Sequence, residues 1–138
     1  MATGRTYTSI DGGGSFGQFI PGVTPNEGVG LGERPLQVMQ LEESAGFRSN
    51  VGLAELTGNP ATARVSVHLP DSKVTASVDV PLAANEFRQI RPILSLVPNA
   101  QSYNARVTVE VVGGSGRVTA YGSVIDNKSK DPTYVPAQ

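Results

Sequence analysis

The stretch that decides the fold runs from residue 105 to residue 136 and reads ARVTVEVVGGSGRVTAYGSVIDNKSKDPTYVP. Apolar or small residues alternate with polar ones in both halves, at positions Ala105, Val107, Val109, Val111, Val118, Ala120, Gly122 and Val124. A period of two is typical of a β-strand with one buried and one solvent-facing side. The glycine-rich residues 113–116 between the halves favour a turn. The stretch therefore predicts a long β-hairpin whose two strands face one core.

The composition of the whole chain agrees with a mainly β fold. A chain of 138 residues can form one domain with a substantial core. Valine supplies much of the apolar mass, and valine prefers strands because its branched side chain is stiff. Sixteen glycines and ten prolines interrupt the chain too often for long helices.

Further alternating segments lie upstream of the first stretch. Strands are predicted at residues 36–41, 47–56, 61–69, 74–80 and 87–90, with a turn at 70–73 and one helical turn within 91–98. Apolar residues occupy both faces of segment 36–41, and we expect 47–56 to be a central strand. The predicted fold class is all-β: an antiparallel, immunoglobulin-like β-sandwich of about seven or eight strands with an extended N-terminal arm. A closed barrel is the structural alternative.

The N-terminal quarter has a different character from the rest. Residues 1–35 are predicted to form an extended arm and a long loop, and residues 36–138 the sandwich domain. The arm carries a bulky apolar anchor made of Phe16, Phe19 and Ile20. Residues 21–35 are rich in glycine and proline, and long loops of this kind are often mobile or serve as contact surfaces.

Charge and cysteine content narrow the classes of partner. Eleven basic and twelve acidic residues give a net charge of −1, so we expect no nucleic-acid binding and no attraction to an anionic membrane. No apolar run approaches the roughly 20 residues of a membrane-spanning helix, so no membrane insertion is expected. The absence of cysteine excludes disulfides and thiolate chemistry. The first residues, MATGRTYT, lack the basic and apolar regions of a signal peptide, so we expect an exported form to be processed.

Motifs that could carry catalysis or a cofactor are weak, and we expect no enzyme, no catalytic residue and no cofactor. The pattern G-x-G-x-x-G at Gly12, Gly14 and Gly17 is interpreted as a flexible linker because no helix follows it. His68 is the only histidine and is predicted on the polar face of a strand. The pair Glu42 and Glu43 is interpreted as a solvated corner rather than a catalytic dyad.

Residues 126–131, DNKSKD, concentrate oxygen-bearing side chains. Asp126 and Asp131 are weak calcium candidates, since calcium takes six to eight oxygen ligands. The segment lacks the spacing of an EF-hand loop, and two lysines lie within it. A hydrogen-bonded turn is the preferred interpretation, and no metal site is predicted.

The outer face of the 105–126 stretch is the predicted interaction surface. Tyr121 and Ile125 lie on the side otherwise occupied by polar residues. Either a partner covers them, or the N-terminal arm does so with Phe16, Phe19 and Ile20. The arm could pack on its own domain, or it could leave that domain and complete the sheet of a second copy.

The end of the chain resembles a known kind of module. The pattern V-x-A-Y-x-S-V-x-D-N at residues 118–127, followed by D-P-T-Y-x-P at 131–136, is similar to the closing motif of an immunoglobulin-like β-sandwich module of exported, multidomain bacterial proteins. Residues 47–53 and 61–82 resemble its start and middle, and residues 17–21 are a weaker match. The resemblance implies a secreted or cell-surface structural or accessory unit, and it carries no catalytic residues to transfer.

Two functions are open at this stage. The first is a non-catalytic extracellular structural or adhesive module, with self-assembly through the N-terminal arm and a protein partner or homo-oligomer as the expected assembly. The alternative is a carbohydrate- or protein-binding accessory module attached to a secreted enzyme. The absence of tryptophan and the presence of only four tyrosines lower the carbohydrate option, since sugar sites usually have exposed aromatic platforms.

Overall fold

A computed structural model describes residues 3–70, 73 and 75–138. Asp71, Ser72 and Val74, which belong to the predicted turn and the start of the strand after it, lie outside the described residues. The described part contains ten strands: β1 Thr3–Ser9, β2 Ser15–Pro21, β3 Leu36–Glu43, β4 Phe47–Glu55, β5 Ala61–His68, β6 Thr75–Leu82, β7 Phe87–Ile90, β8 Ser102–Gly114, β9 Val118–Asp126 and β10 Pro132–Pro136. Two 3-10 turns, Pro25–Glu27 and Ile93–Leu96, complete it, the second of them within the predicted helical turn.

Eight of these strands form a sandwich of two antiparallel sheets. Sheet I has the strand order β10-β9-β4-β7, and sheet II has the order β3-β8-β5-β6. β4 lies inside sheet I, as predicted, because it pairs with β9 on one side and with β7 on the other. The predicted class, an antiparallel β-sandwich, is confirmed.

The core lies between the inner faces of the two sheets and is made mostly of valine and leucine. Most of the alternating residues predicted to face inward are fully or almost fully buried, among them Val65, Val67, Val107, Val109 and Val118, whereas Ala76, Val78 and Val124 are partly buried. The hairpin predicted between residues 61 and 82 is present, with Val65 opposite Val78. The period-two pattern therefore identified the buried face of β5, β8 and β9 correctly.

The sequence predicted that the two strands within residues 105–126 pair with each other as a hairpin, and this prediction is wrong. β8 bonds to β3 and β5 in sheet II, whereas β9 bonds to β4 and β10 in sheet I. The glycine-rich turn crosses from one sheet to the other, and the backbone N–H groups of Ser115 and Gly116 both donate to the carbonyl oxygen of Pro60. Alternation reveals which side of a strand is buried, and two strands facing each other across a core satisfy it as well as two neighbours in one sheet.

A bulge changes the facing of residues predicted for segment 36–41. Gln40 has a positive φ of 59°, and the pairing of β3 with β8 shifts between Val38 and Leu41. The extra residue lets Leu41 turn into the core beside Val38 and leaves Met39 exposed. The strand consequently has one apolar face, where the sequence predicted two.

The predicted N-terminal arm is folded into a hairpin. β1 and β2 pair from Thr3 opposite Pro21 to Ser9 opposite Ser15, and they form a separate two-stranded sheet. The following loop lies against the end of the sandwich, where Val29 is buried and exchanges two backbone hydrogen bonds with Val118. The Arg117 guanidinium donates to both carboxylate oxygens of Glu33 and to the carbonyl oxygen of Pro25, so the loop is held at several points.

Candidate functional site

The outer face of sheet I carries a row of three aromatic rings. Phe87 of β7, Tyr121 of β9 and Tyr134 of β10 belong to it. The ring centroids of Phe87 and Tyr121 are 6.3 Å apart with planes 12° from parallel, and those of Tyr121 and Tyr134 are 5.7 Å apart with planes 24° from parallel. The row therefore spans the sheet from one edge strand to the other.

Glycine at position 52 makes this row possible. Gly52 of β4 lies directly opposite Tyr121 in the pairing of β4 with β9. A Cβ atom on Gly52 would overlap the Tyr121 ring, so the ring lies directly over the glycine backbone. Cross-strand coverage of a glycine by an aromatic ring restores the packing that the missing side chain would provide.

The N-terminal hairpin forms one wall beside the aromatic row. Gln18 of β2 is buried, and its side-chain oxygen accepts a hydrogen bond of 2.8 Å from the hydroxyl of Ser123 on β9. Ile20 and Pro21 of the same strand line the space between hairpin and sheet. This space is a groove of about 650 Å³, which is the size of a small-ligand site.

One buried polar atom beside the groove has no hydrogen-bond partner among the described residues. Asn50 of β4 lines the groove and is only 7% exposed. Among the residues that the structure describes, no donor reaches its side-chain oxygen Oδ1. Leaving a buried acceptor unpaired is unfavourable by about 1–3 kcal/mol, so such groups in native proteins call for an explanation.

The groove is electrically neutral. Its remaining polar lining consists of hydroxyl and amide side chains, those of Thr6, Gln18, Gln89, Thr119 and Ser123. Burial raises the pKa of Tyr121, with a smaller contribution from Tyr134, and burial also raises the pKa of Tyr134. Both phenols therefore stay uncharged at neutral pH, and the groove offers hydrogen bonds and aromatic surface without a formal charge.

The structure brings together three of the five predicted interaction residues. Ile20, Tyr121 and Ile125 all line the groove. Phe16 is half-buried and borders a second cavity of about 400 Å³ beside Arg48 and Pro132. Phe19 points away from the sandwich and is 56% exposed, since successive side chains of a strand alternate in direction.

Residues outside the sequence prediction complete the groove. Gln18, Asn50 and Phe87 belong to it and were missed. Their placement depends on which strands are neighbours in sheet I, and the sequence pattern does not contain that information. A polar residue inside the central strand 47–56 was the one local signal that pointed to Asn50.

A second feature missed by the sequence prediction is the buried carboxylate of Glu55, which is 4% exposed at the end of β4. It accepts hydrogen bonds from the backbone N–H groups of Thr57, Gly58, Asn85 and Arg117 and from the Thr57 hydroxyl. Burial acts to raise the pKa of Glu55, but these hydrogen bonds outweigh it and lower the pKa to about 2. The carboxylate joins three chain segments at one end of the sandwich and is structural.

The weak calcium candidates lie in a tight turn. The Asp126 carboxylate accepts hydrogen bonds from the backbone N–H groups of Lys128 and Ser129, and these bonds lower its pKa. The backbone N–H of Asp131 is bonded to the Ser129 hydroxyl. Within residues 3–70, 73 and 75–138, no three acidic or histidine side chains are grouped to hold a metal ion.

The other motifs also have local structural roles. Gly12 and Gly14 have positive φ angles and form the turn of the N-terminal hairpin, and Gly17 lies within β2. His68 lies between the Thr75 and Thr108 hydroxyls on the outer face of sheet II. Glu42 and Glu43 lie at the end of β3 instead of in the predicted corner, because the turn begins only at Ser44.

Fold and groove together define the class as an antiparallel β-sandwich with a neutral, aromatic groove on one outer face. No family model, curated protein or solved structure matches this chain. In the described part of the chain, no helix has the length and apolar character required to span a bilayer.

Proposed function

We propose that this chain is a non-catalytic structural or adhesive β-sandwich module that acts outside the cell and self-associates through its N-terminal hairpin. The observation that carries the proposal is the open edge of β1. This strand bonds to β2 on one side only, and all seven of its residues are exposed. An exposed strand edge presents unpaired N–H and C=O groups that a strand of another molecule can bind.

The outward face of the hairpin supports the same association. Tyr7 is 65% exposed and Phe19 is 56% exposed, and the Arg5 guanidinium lies 5.4 Å from the centre of the Tyr7 ring. Large exposed apolar side chains that cluster on one surface are typical of contact sites. A two-stranded sheet is marginally stable by itself, and pairing the β1 strands of two copies would give a four-stranded sheet.

The extracellular setting rests on the closing motif at residues 118–136. The motif resembles that of β-sandwich modules in exported bacterial proteins. Those modules serve as structural or accessory units, which agrees with the self-association proposed for the exposed N-terminal hairpin.

The test is the molar mass of the full chain in solution, measured by light scattering over a concentration series. We expect the wild-type mass to rise toward that of two chains, and the double variant Tyr7→Ala, Phe19→Ala to weaken the dimer by about tenfold, equal to about 1.4 kcal/mol. Deletion of residues 1–21 should abolish the rise. Tyr103→Ala is the matched control, because Tyr103 is an exposed tyrosine of β8 in sheet II. A wild-type mass that stays at one chain at every concentration contradicts the proposal.

The groove favours a second candidate function, an accessory module that binds a carbohydrate or a protein. Its aromatic row, its volume of about 650 Å³ and its unpaired Asn50 Oδ1 are features expected of a binding site. Binding in the groove does not require self-association, so the two candidates are tested separately.

A further inference from the structure

We infer that the groove between the N-terminal hairpin and sheet I binds a neutral oligosaccharide built of pyranose rings. The inference rests on the second candidate function and names its ligand class. Three observations carry it: the aromatic row, the unpaired Asn50 oxygen, and a floor whose backbone groups are already bonded within the sheet.

The aromatic row suits the apolar side of a sugar ring. Phe87 is 54% exposed, and the rings of Phe87, Tyr121 and Tyr134 are close to parallel. A pyranose ring presents C–H groups on its faces and hydroxyl groups around its rim, so it can lie on an aromatic surface while its rim stays polar.

The polar groups suit the hydroxyl rim. Asn50 Oδ1 is a buried acceptor without a donor among the described residues, and the residue Asn50 lines the groove. It lies opposite Ser123, next to the pair formed by Gly52 and Tyr121. A sugar hydroxyl placed over the Tyr121 ring is therefore close to Asn50, and it can donate the missing hydrogen bond when the amide turns its buried oxygen toward the groove. The neutral lining favours an uncharged sugar over a uronic acid or a sulfated one.

The floor of the groove, formed by β4 and β9, suits a sugar better than an extended peptide. Peptides that bind β-proteins as added strands use unpaired backbone groups at a sheet edge. β4 and β9, which carry Asn50, Gly52, Tyr121 and Ser123, each pair with a strand on both sides. Recognition at this floor therefore uses side-chain rings, amides and hydroxyls, which is the chemistry that sugars require.

The experiment is isothermal titration of the full chain with three neutral hexasaccharides: cellohexaose, xylohexaose and mannohexaose. At least one should bind with a dissociation constant in the millimolar range or tighter. Phe87→Ala and Asn50→Leu should each weaken that binding by about tenfold or more, since the first removes a ring of the aromatic row and the second removes the Asn50 acceptor. Tyr103→Ala, which removes an exposed tyrosine remote from the groove, should leave the dissociation constant within about twofold of the wild-type value.

Thermal unfolding of each variant separates loss of binding from loss of folding. Phe87 is exposed and Asn50→Leu removes a buried unpaired acceptor, so both variants should keep a cooperative transition. Absence of binding to all three hexasaccharides by the folded wild type would overturn the inference, as would unchanged binding by both variants. If the chain bound uncharged peptides on an array and bound no oligosaccharide, the inference would also be overturned. The accessory-module function would then stand as protein binding. The molar-mass series tests self-association independently of all these results.

Discussion

The two sheets have similar inner faces and different outer faces. On sheet II several outward polar side chains bond to one another: Arg64 forms a two-pronged ion pair with Asp79, and the Ser66 and Ser77 hydroxyls bond across the strands at 2.8 Å. On sheet I the outward side chains form an aromatic row beside a buried amide oxygen that no described residue satisfies. The outer face of sheet II thus carries polar cross-strand pairs, whereas that of sheet I carries aromatic rings and a buried, unpaired acceptor.

The largest expected effect concerns Glu55, whose carboxylate holds the end of sheet I together. Glu55→Gln should lower the free energy of unfolding by about 3 kcal/mol, because an amide cannot accept from all five donors and leaves buried N–H groups unpaired. Denaturant unfolding monitored by circular dichroism measures this. If Glu55→Gln lowered the free energy of unfolding no more than a surface variant does, the hydrogen bonds to the Glu55 carboxylate would not be stabilising.

Glu55 also makes stability depend on pH. Its pKa is about 2 in the folded chain, below the ordinary value of 4.5, so its contribution is present above pH 4.5 and is lost as the pH falls from 4.5 toward 2. Wild type should lose more stability than Glu55→Gln over that interval. The other carboxylates are common to both proteins, so the difference between the two curves isolates Glu55. Parallel curves would contradict the assignment.

The next effect concerns the glycine beneath the aromatic row. Gly52→Val places atoms where the Tyr121 ring lies and should lower the free energy of unfolding by about 2 kcal/mol, the usual effect of overpacking. Ser66→Val, on the outer face of sheet II, is the matched control because valine there meets solvent and suits a strand. If Gly52→Val and Ser66→Val changed the free energy of unfolding equally, the outer faces of the two sheets would not differ in how tightly they are packed.

A smaller effect of opposite sign is expected at the unpaired amide. Asn50→Leu should raise the free energy of unfolding by about 1 kcal/mol, because the unsatisfied acceptor is replaced by an apolar side chain in an apolar groove. The control variant is Ser77→Leu on sheet II. It removes a hydroxyl that is already hydrogen-bonded, so it should not raise the free energy of unfolding. Destabilisation by Asn50→Leu would show that its oxygen is satisfied in solution by other means.

The smallest effect is expected at the ion pair of sheet II. Asp79→Asn should leave the midpoint of thermal unfolding unchanged within error at physiological salt, since the Arg64 and Asp79 side chains are both exposed. A clear drop in the midpoint would mean that the outer face of sheet II contributes more than solvated pairs do.

Much of the fold was readable from the sequence because burial leaves a local signature. The alternation at Val65, Val67, Val107 and Val109 predicted the inward faces, and these residues are fully buried. Neighbour relations between strands that no tight turn connects leave no such signature, although the hairpin of β5 and β6 was predicted correctly. The stretch at residues 105–126 was predicted as a hairpin, yet β8 and β9 lie in opposite sheets, because facing across a core and pairing within a sheet produce the same pattern.

The groove was only partly predictable for the same reason. Tyr121 and Ile125 stood out as apolar residues on a polar face, and both line the groove. The other lining residues reach the groove only through long-range contacts. The pairing of β4 with β7 and β9 places Phe87 and Asn50 there, and the packing of the N-terminal hairpin against sheet I places Gln18 there. Those relations connect residues that are far apart in the chain.

The crossing between β8 and β9 also has a consequence for the order in which the chain folds. The strand pairs of the described part that join immediate sequence neighbours are β1 with β2, β5 with β6 and β9 with β10. The centre of sheet I instead joins Phe47 to Asp126 and Glu55 to Val118. Because such distant segments must meet before their contacts stabilise them, folding should be slow, in the range of about milliseconds to seconds that is typical of β-sandwiches.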